Sequence, residues 1–348
     1  MPAAPTLPAD VRATLLDGRG LIRAADFEGT SGSRSRLHRL ERAGLLTGLA
    51  KGVYADTATL RSAGEWSAFR LRTRAFLMVA APDSYASDWS SIVLHDLPTR
   101  GRPPTVPNVI RPGSRVSGSN TTRWGRTRFA AVPDRWLGQV DGCPAVDPAF
   151  AAVDVARQAD RLTGLVLADA VAFRHRGRDR LAQAAVDVER WRGGRRARWP
   201  VQHCDADVES PLESAGRLAF LDAGLPGSLS NVWVGDIVPE ARLDHYWPAF
   251  RIAAEGDGVG KYLLTDPAAA IRREKEREWL LQQWGIRVVR YTWAVATRSP
   301  DELTGRIRAL MRVAPDTSCA LRLWPRDEGL ALLGLPSGRP RPRPVAAA

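Results

Sequence analysis

Four carboxylates and two lysines in the last third of the chain have the types and spacing of a hydrolytic site. Asp244 lies within a strand-like run at 242–246, and Glu255 closes the next such run at 250–255, 255 − 244 = 11 positions on. The short turn at 247–249 predicts that the two runs pair as a hairpin. Glu255 and Asp257 are two apart, so an extended backbone puts both on one face. Glu213, in the helical run 209–221, is a fourth candidate. Clustered carboxylates repel unless a cation or basic group neutralises them. An all-oxygen set suits Mg²⁺ or Mn²⁺, and Asp244, Glu255 and Asp257 are the expected ligands. Such an ion lowers the pKa of bound water and stabilises charge on a phosphoryl group in transfer. Lys261, after Gly258-Val259-Gly260, and Lys275, beside Glu274 and near Glu278, are placed to supply an ammonium charge. Each residue also has an ordinary structural role. Asp244 can cap a turn, Glu255-Gly256-Asp257-Gly258 can end a hairpin, and Lys275 can pair with Glu278 along a helix.

A second constellation lies near the start. A helix is expected from about residue 33 to 43, stopped by Gly44. At 100° per residue, Leu37, Leu40 and Ala43 share one face, while Ser35, His38, Arg39 and Arg42 share the opposite one. An apolar face of that kind packs on neighbouring helices, and the donor-rich face suits the major groove of DNA. Helical patterns at 9–16 and 21–27, with a polar turn Gly29-Thr30-Ser31-Gly32, precede it. The segment LLTGLAKGVYAD at 45–56 follows and predicts a two-stranded wing carrying Lys51. Residues 8–57 thus read as a winged helix-turn-helix. The alternative is a three-helix packing unit with a solvated basic face.

The elements between and after these constellations define the rest of the organisation. Residues 58–207 read as an α+β middle region. Helices are expected at 66–80, 87–97, 148–156, 162–174 and 180–191, with short strands within 103–133. The basic run at 192–198 reads as a solvated helix end. Residues 208–313 follow the order α-β-β-β-α-β-α, a unit of ordinary domain size. The Pro/Arg-rich tail, 337–348, reads as disordered. The fold class is therefore α/β and multi-domain.

Composition narrows the function classes. Fifty Lys+Arg against 38 Asp+Glu give +12, which fits an anionic partner, nucleic acid before a membrane surface. Only Lys51, Lys261 and Lys275 are lysines, so the basic side is almost all Arg, which binds phosphate bidentately. No run of apolar residues reaches membrane-spanning length, so no membrane partner is expected. The three cysteines, Cys143, Cys204 and Cys319, form neither a disulfide framework nor a zinc knuckle. With no secretory signal pattern at the start, a reducing cytoplasm is expected.

Residues 209–313 resemble the PD-(D/E)xK nuclease superfamily, in particular its bacterial branch related to very-short-patch-repair endonucleases. The segments that carry the likeness are ESPLESAGRLAFLDAGLP, ARLDHYWPAFRIAAEGDGVGKY and REKEREWLLQQWGIRVVRYTW. The resemblance implies a restriction-endonuclease-like α/β fold with Glu213, Asp244, Glu255 and Asp257 as site residues and Mg²⁺ as cofactor. The chain departs from the family in two respects. Asp257 stands where the motif has Lys, leaving that role to Lys261 or Lys275, and the zinc-binding Cys/His set is absent. The N-terminal part is similar to AbiEi-type antitoxins of type IV toxin–antitoxin systems. GLIRAADFEG, SRSRLHRLERAGLL and KGVYAD match their winged helix, and YASDWSSIVLHDLPT, VIRPGS and VDGCPAVDPAFAAVDVAR match their middle region. This implies DNA as partner, with a cognate toxin by analogy. Two main functions are therefore expected, with an RNA-acting factor as a third. One is a DNA-binding, Mg²⁺-dependent endonuclease. The other is an antitoxin-like transcriptional regulator whose nuclease-like domain is inactive and serves DNA or toxin binding.

Overall fold

The computed structural model describes residues 6–25, 33–113, 117–257 and 267–338. Contacts divide the chain into two units. One holds the described residues up to Gln158 together with Gln183–Arg195, and the other holds Ala159–Ala182 and the described residues from Arg196 onward. The expected boundary at 207/208 does not coincide with any of these breaks, because the helix at 161–175 packs with the C-terminal elements.

The first unit begins with α1 (Ala9–Asp17), β1 (Ile22–Arg23), α2 (Ser33–Arg42), β2 (Leu46–Ala50) and β3 (Val53–Asp56). The three strands form an antiparallel sheet in the order β1-β3-β2. The spacing predicts a helix over 21–27, of which 26 and 27 lie outside the described residues; at its start Ile22 and Arg23 instead pair with Tyr54 and Val53. Arg19 and Gly20 both take positive φ, 51° and 89°. That left-handed step breaks the helical path after α1 and delivers a β-branched residue to the sheet edge. Leu7, Val11, Leu15, Ile22, Leu37 and Leu46 form the core beneath α1 and α2. The turn expected at Gly29–Gly32 lies outside the described residues.

Then come α3 (Thr57–Ser62), capped by the Asp56 carboxylate, α4 (Glu65–Leu77), β4 (Tyr85–Ala86) and α5 (Trp89–Leu94). Strands β5 (Asn108–Arg111), β6 (Gly118–Thr121), β7 (Arg126–Phe129), β8 (Leu137–Val140) and β9 (Cys143–Val146) follow, ending in α6 (Pro148–Ala156). The sheet order is β6-β7-β5-β4-β9-β8. Asp147 caps α6 and Pro148 opens it, the sequence signal for a helix start. Asp154 on α6 is fully buried between Arg128 and Arg157.

The second unit contains α7 (Arg161–His175) and part of α8 (Asp179–Asp187), within which the chain passes to the first unit before returning. Next are α9 (Arg198–His203), α10 (Pro211–Asp222), β10 (Leu229–Gly235), β11 (Ala241–Trp247), β12 (Ile252–Gly256), α11 (Pro267–Gln283) and β13 (Arg287–Tyr291). α12 (Trp293–Arg298), α13 (Pro300–Met311), β14 (Arg322–Trp324) and α14 (Arg326–Leu332) complete it. The sheet runs β13-β12-β11-β10-β14, antiparallel except for the β12–β13 pair. α11 is the crossover that a parallel pair requires. The expected order α-β-β-β-α-β-α is present in these elements. Two clusters bury the sheet. Trp247, Ile252, Ala254, Val289 and Tyr291 pack with α10, α12 and α13. Val232, Val234, Leu243 and Ala253 pack with Leu281 and Trp284. Gly216 lets α10 approach β13 closely: a Cβ there would sit 2.4 Å from the Tyr291 hydroxyl.

No helix among the described residues is long and apolar enough to cross a membrane.

Candidate functional site

In the first unit the sequence directs α2 to show two faces. Leu37 is fully buried and Leu40 packs beside it, while Ser35, His38, Arg39 and Arg42 are exposed. The helix is fixed at its base by Arg36, whose guanidinium donates to both oxygens of Asp10 on α1 at 2.6 and 2.8 Å. That pair holds the Asp10 carboxyl below its usual range. His38 meets Glu41 across 3.1 Å. Arg39 and Arg42 remain toward solvent. Lys51 is exposed in the β2–β3 turn, which Gly52 closes with φ +72°. Gly48 allows β2 to lie close under the helix, since a Cβ there would come 2.7 Å from Glu41 Oε1. The unit therefore presents one exposed helix face of donors and cations with a basic turn on the adjoining hairpin.

In the second unit the hairpin β11–β12 has the register His245↔Ala254. One step further, Asp244 lies across from Glu255, and the Gly256 N–H donates to Asp244 Oδ2 at 2.9 Å. Glu213 enters from the first turn of α10. It accepts from Ser210 Oγ at 2.7 Å, from the Glu209 N–H at 3.0 Å and from Asn231 Nδ2 at 2.6 Å. Burial, reinforced by the Asp244 charge, pushes its pKa up to about 7. Tyr291, on β13, is buried beside the same carboxylates, and burial with the charges of Asp244, Glu213 and Glu255 holds its phenol well above the usual range. Its hydroxyl shares a 2.9 Å hydrogen bond with Nε2 of the buried His245. The fold thus brings Glu213, Asp244 and Glu255 near one another.

Among the described residues, the cations in contact with these carboxylates are arginines. Arg277 on α11 donates to both oxygens of Glu255, one contact at 3.0 Å, and reaches the Arg242 carbonyl at 3.0 Å. Arg290, the register partner of Glu255 on β13, lies 3.8 Å from Asp257 and binds Glu274 and Glu278. Lys275, two residues before Arg277, is exposed, about half a turn from that inward position. Lys261 lies outside the described residues. A guanidinium matches a carboxylate edge to edge in a way an ammonium does not. No local sequence pattern ties Arg277 to Glu255 or Arg290 to Asp257, since these pairs are 22 and 33 residues apart (277 − 255 and 290 − 257) and are joined only by the sheet register and the crossover helix.

The expected ligand set of Asp244, Glu255 and Asp257 is not formed. The donors are chemically right for Mg²⁺, being oxygens, but the Arg277 fork covers the Glu255 carboxylate and Asp257 is drawn to Arg290. Among the described residues, no group of three or more His, Cys, Asp and Glu is placed to hold a metal ion. The residues present therefore do not fit a divalent ion in this arrangement.

No protein-family model matches the chain. It is 32% identical over 181 residues to two uncharacterised proteins of Mycobacterium tuberculosis, one from strain CDC 1551 / Oshkosh and one from strain H37Rv. The match covers 49% of this chain and 63% of each relative, so the chain spans less than two thirds of their length. A crystal structure of the RV2827C protein from Mycobacterium tuberculosis aligns over 66% of this chain and 85% of that one, with 15% identity and a TM-score of 0.36. A likeness at that level decides neither fold nor activity.

Proposed function

We propose that the protein binds duplex DNA through α2 and the β2–β3 turn, as an antitoxin-like regulator does. The observation that carries this reading is the split of α2: Leu37 buried, with Ser35, His38, Arg39 and Arg42 exposed beside Lys51. A helix of this kind inserts its donors in the major groove, and a basic turn on an adjoining hairpin meets phosphates. Arg39 and Arg42 supply bidentate donors to guanine or phosphate, and Ser35 and His38 supply shorter-range ones. The net charge of +12 supports an anionic partner. The test is a mobility-shift assay on DNA from the region upstream of its own gene. Arg39→Ala with Arg42→Ala shifts the retarded band to much higher protein concentration, and Asp244→Ala leaves it unchanged. Equal retardation by the double variant and the parent overturns the reading.

The second reading is Mg²⁺-dependent phosphodiester hydrolysis in the second unit. It is favoured by one observation, that the strand register and α10 bring Asp244, Glu255 and Glu213 together. It requires Glu255 to exchange its bond with Arg277. Cleavage of plasmid DNA that depends on Mg²⁺ and is lost in Asp244→Ala supports it, and the absence of cleavage over protein titrations up to plasmid saturation sets it aside. A cognate toxin as partner belongs to the regulator reading and is tested by co-purification with the product of the adjoining gene.

A further inference from the structure

We infer that Arg277 is the resident cation of the second unit's carboxylate cluster, standing where a divalent ion would have to bind and thereby keeping the cluster free of metal. Three observations carry this. Glu255 is 5% exposed, so its charge requires a neutralising partner in contact. Arg277 supplies one by a fork on both carboxylate oxygens. Its remaining reach is also taken up, since the nitrogen on Glu255 Oε1 donates in addition to the Arg242 carbonyl of β11 at 3.0 Å. The guanidinium is therefore tied to two strands and is not a loose surface group. The neighbouring carboxylates are likewise engaged by the chain itself. Asp244 accepts from the Gly256 N–H, and Glu213 accepts from three donors. Arg290 draws Asp257, Glu274 and Glu278 to its own side. A divalent ion entering between Asp244 and Glu255 would have to strip a buried carboxylate of a bidentate ion pair. It would also leave a guanidinium without its counter-charge, a strongly unfavourable exchange when one partner is removed.

The consequence is a latent site. Asp244, Glu255 and Glu213 form no metal-binding group as the native chain places them, but removal of the guanidinium takes away the counter-charge of Glu255, and the carboxylates then relieve their repulsion by turning toward a hard cation. This inference does not rest on DNA binding by α2, and its test does not measure DNA.

The experiment is titration of the full chain with Mn²⁺, followed by the ion's electron paramagnetic resonance signal. The wild-type chain shows no saturable site up to about 1 mM. Arg277→Met, which keeps an apolar stem of similar length, gains one Mn²⁺ per chain at least tenfold tighter than any wild-type binding. Adding Glu255→Gln removes that gain. A one-per-chain site in the wild type that disappears in Glu255→Gln overturns the inference, as does an Arg277→Met chain that folds and gains nothing. Should Arg277→Met fail to fold, Mn²⁺ decides the matter. Recovery of the wild-type melting transition in its presence supports a cation role for Arg277, and continued unfolding refutes it.

Discussion

Glu213→Gln separates the electrostatics of the cluster from its packing. The folded chain holds this carboxyl's pKa at about 7 against an ordinary 4.5, through burial first and the Asp244 charge second. Unfolding releases it to the ordinary value. Between the two values the native chain binds the proton and the unfolded chain does not, so stability falls as pH rises. The difference is absent below about pH 4.5 and complete above about pH 7. At about 1.4 kcal/mol per pH unit it amounts to about 3 kcal/mol, of which roughly 2–3 kcal/mol develops between pH 5 and 8. Gln is isosteric. Its oxygen accepts from Asn231 and the Glu209 N–H, and its amide donates to the Ser210 hydroxyl, which rotates to accept. The variant therefore keeps the shape of the site and loses only the titration. Relative to wild type, Glu213→Gln gains stability from pH 5 to pH 8, by roughly 5–10 °C in the melting of the second unit. Calorimetry of both chains at half-unit pH steps reads the difference, which cancels every other titrating group. A Glu213→Gln-minus-wild-type difference that stays flat from pH 5 to 8 refutes the reasoning.

Further outcomes follow from the same structure. Arg39→Ala with Arg42→Ala lowers the slope of log K against log salt for DNA by about 2, near 0.9 for each lost phosphate contact, read by fluorescence anisotropy across 50–200 mM salt. Leu37→Ala, at a fully buried position of α2, destabilises the first unit by about 2–5 kcal/mol, measured by urea denaturation. Asp154→Ala strands Arg128 and Arg157 without their shared counter-charge and costs about 3–5 kcal/mol, seen as loss of the folded fraction on expression or a lowered urea midpoint. Gly216→Ala drives a methyl against the Tyr291 hydroxyl, and thermal melting of the second unit falls by an amount that Gly216→Ala with Tyr291→Phe partly restores.

The elements were legible in sequence where local chemistry defines them. Asp147-Pro148 announces α6, Gly44 at φ +73° ends α2 where expected, and Gly52 turns the β2–β3 hairpin. The division of α2 into a buried Leu37 face and an exposed Arg39/Arg42 face followed from the helical period alone, since period determines which side chains share a face. Residues 21–27 misled for an equally local reason. Leu21 and Ile22 carry helical spacing with their neighbours, but the left-handed pair Arg19-Gly20 turns the chain before the period can continue, and Ile22 completes a sheet with Tyr54 instead. That partner is 32 residues away (54 − 22), beyond any window of periodicity.

The cluster in the second unit shows the same boundary in chemical form. Spacing placed Asp244 and Glu255 opposite one another, because a hairpin register is arithmetic. Choosing the cation is a different problem, since five arginines and one lysine fall within 267–290, and composition does not rank them. The ranking comes from which side of α11 faces the sheet. The crossover to β13 turns Arg277 inward, onto Glu255 and the Arg242 carbonyl, and leaves Lys275 exposed. A reading that takes Lys275 as the site cation thus meets a helix whose inward position is Arg, and an Arg fork engages both oxygens of a carboxylate edge to edge where an ammonium acts as a point charge. The identity of one side chain, two positions from Lys275, one of the two lysines the sequence offers, therefore separates a metal-binding cluster from a self-neutralised one.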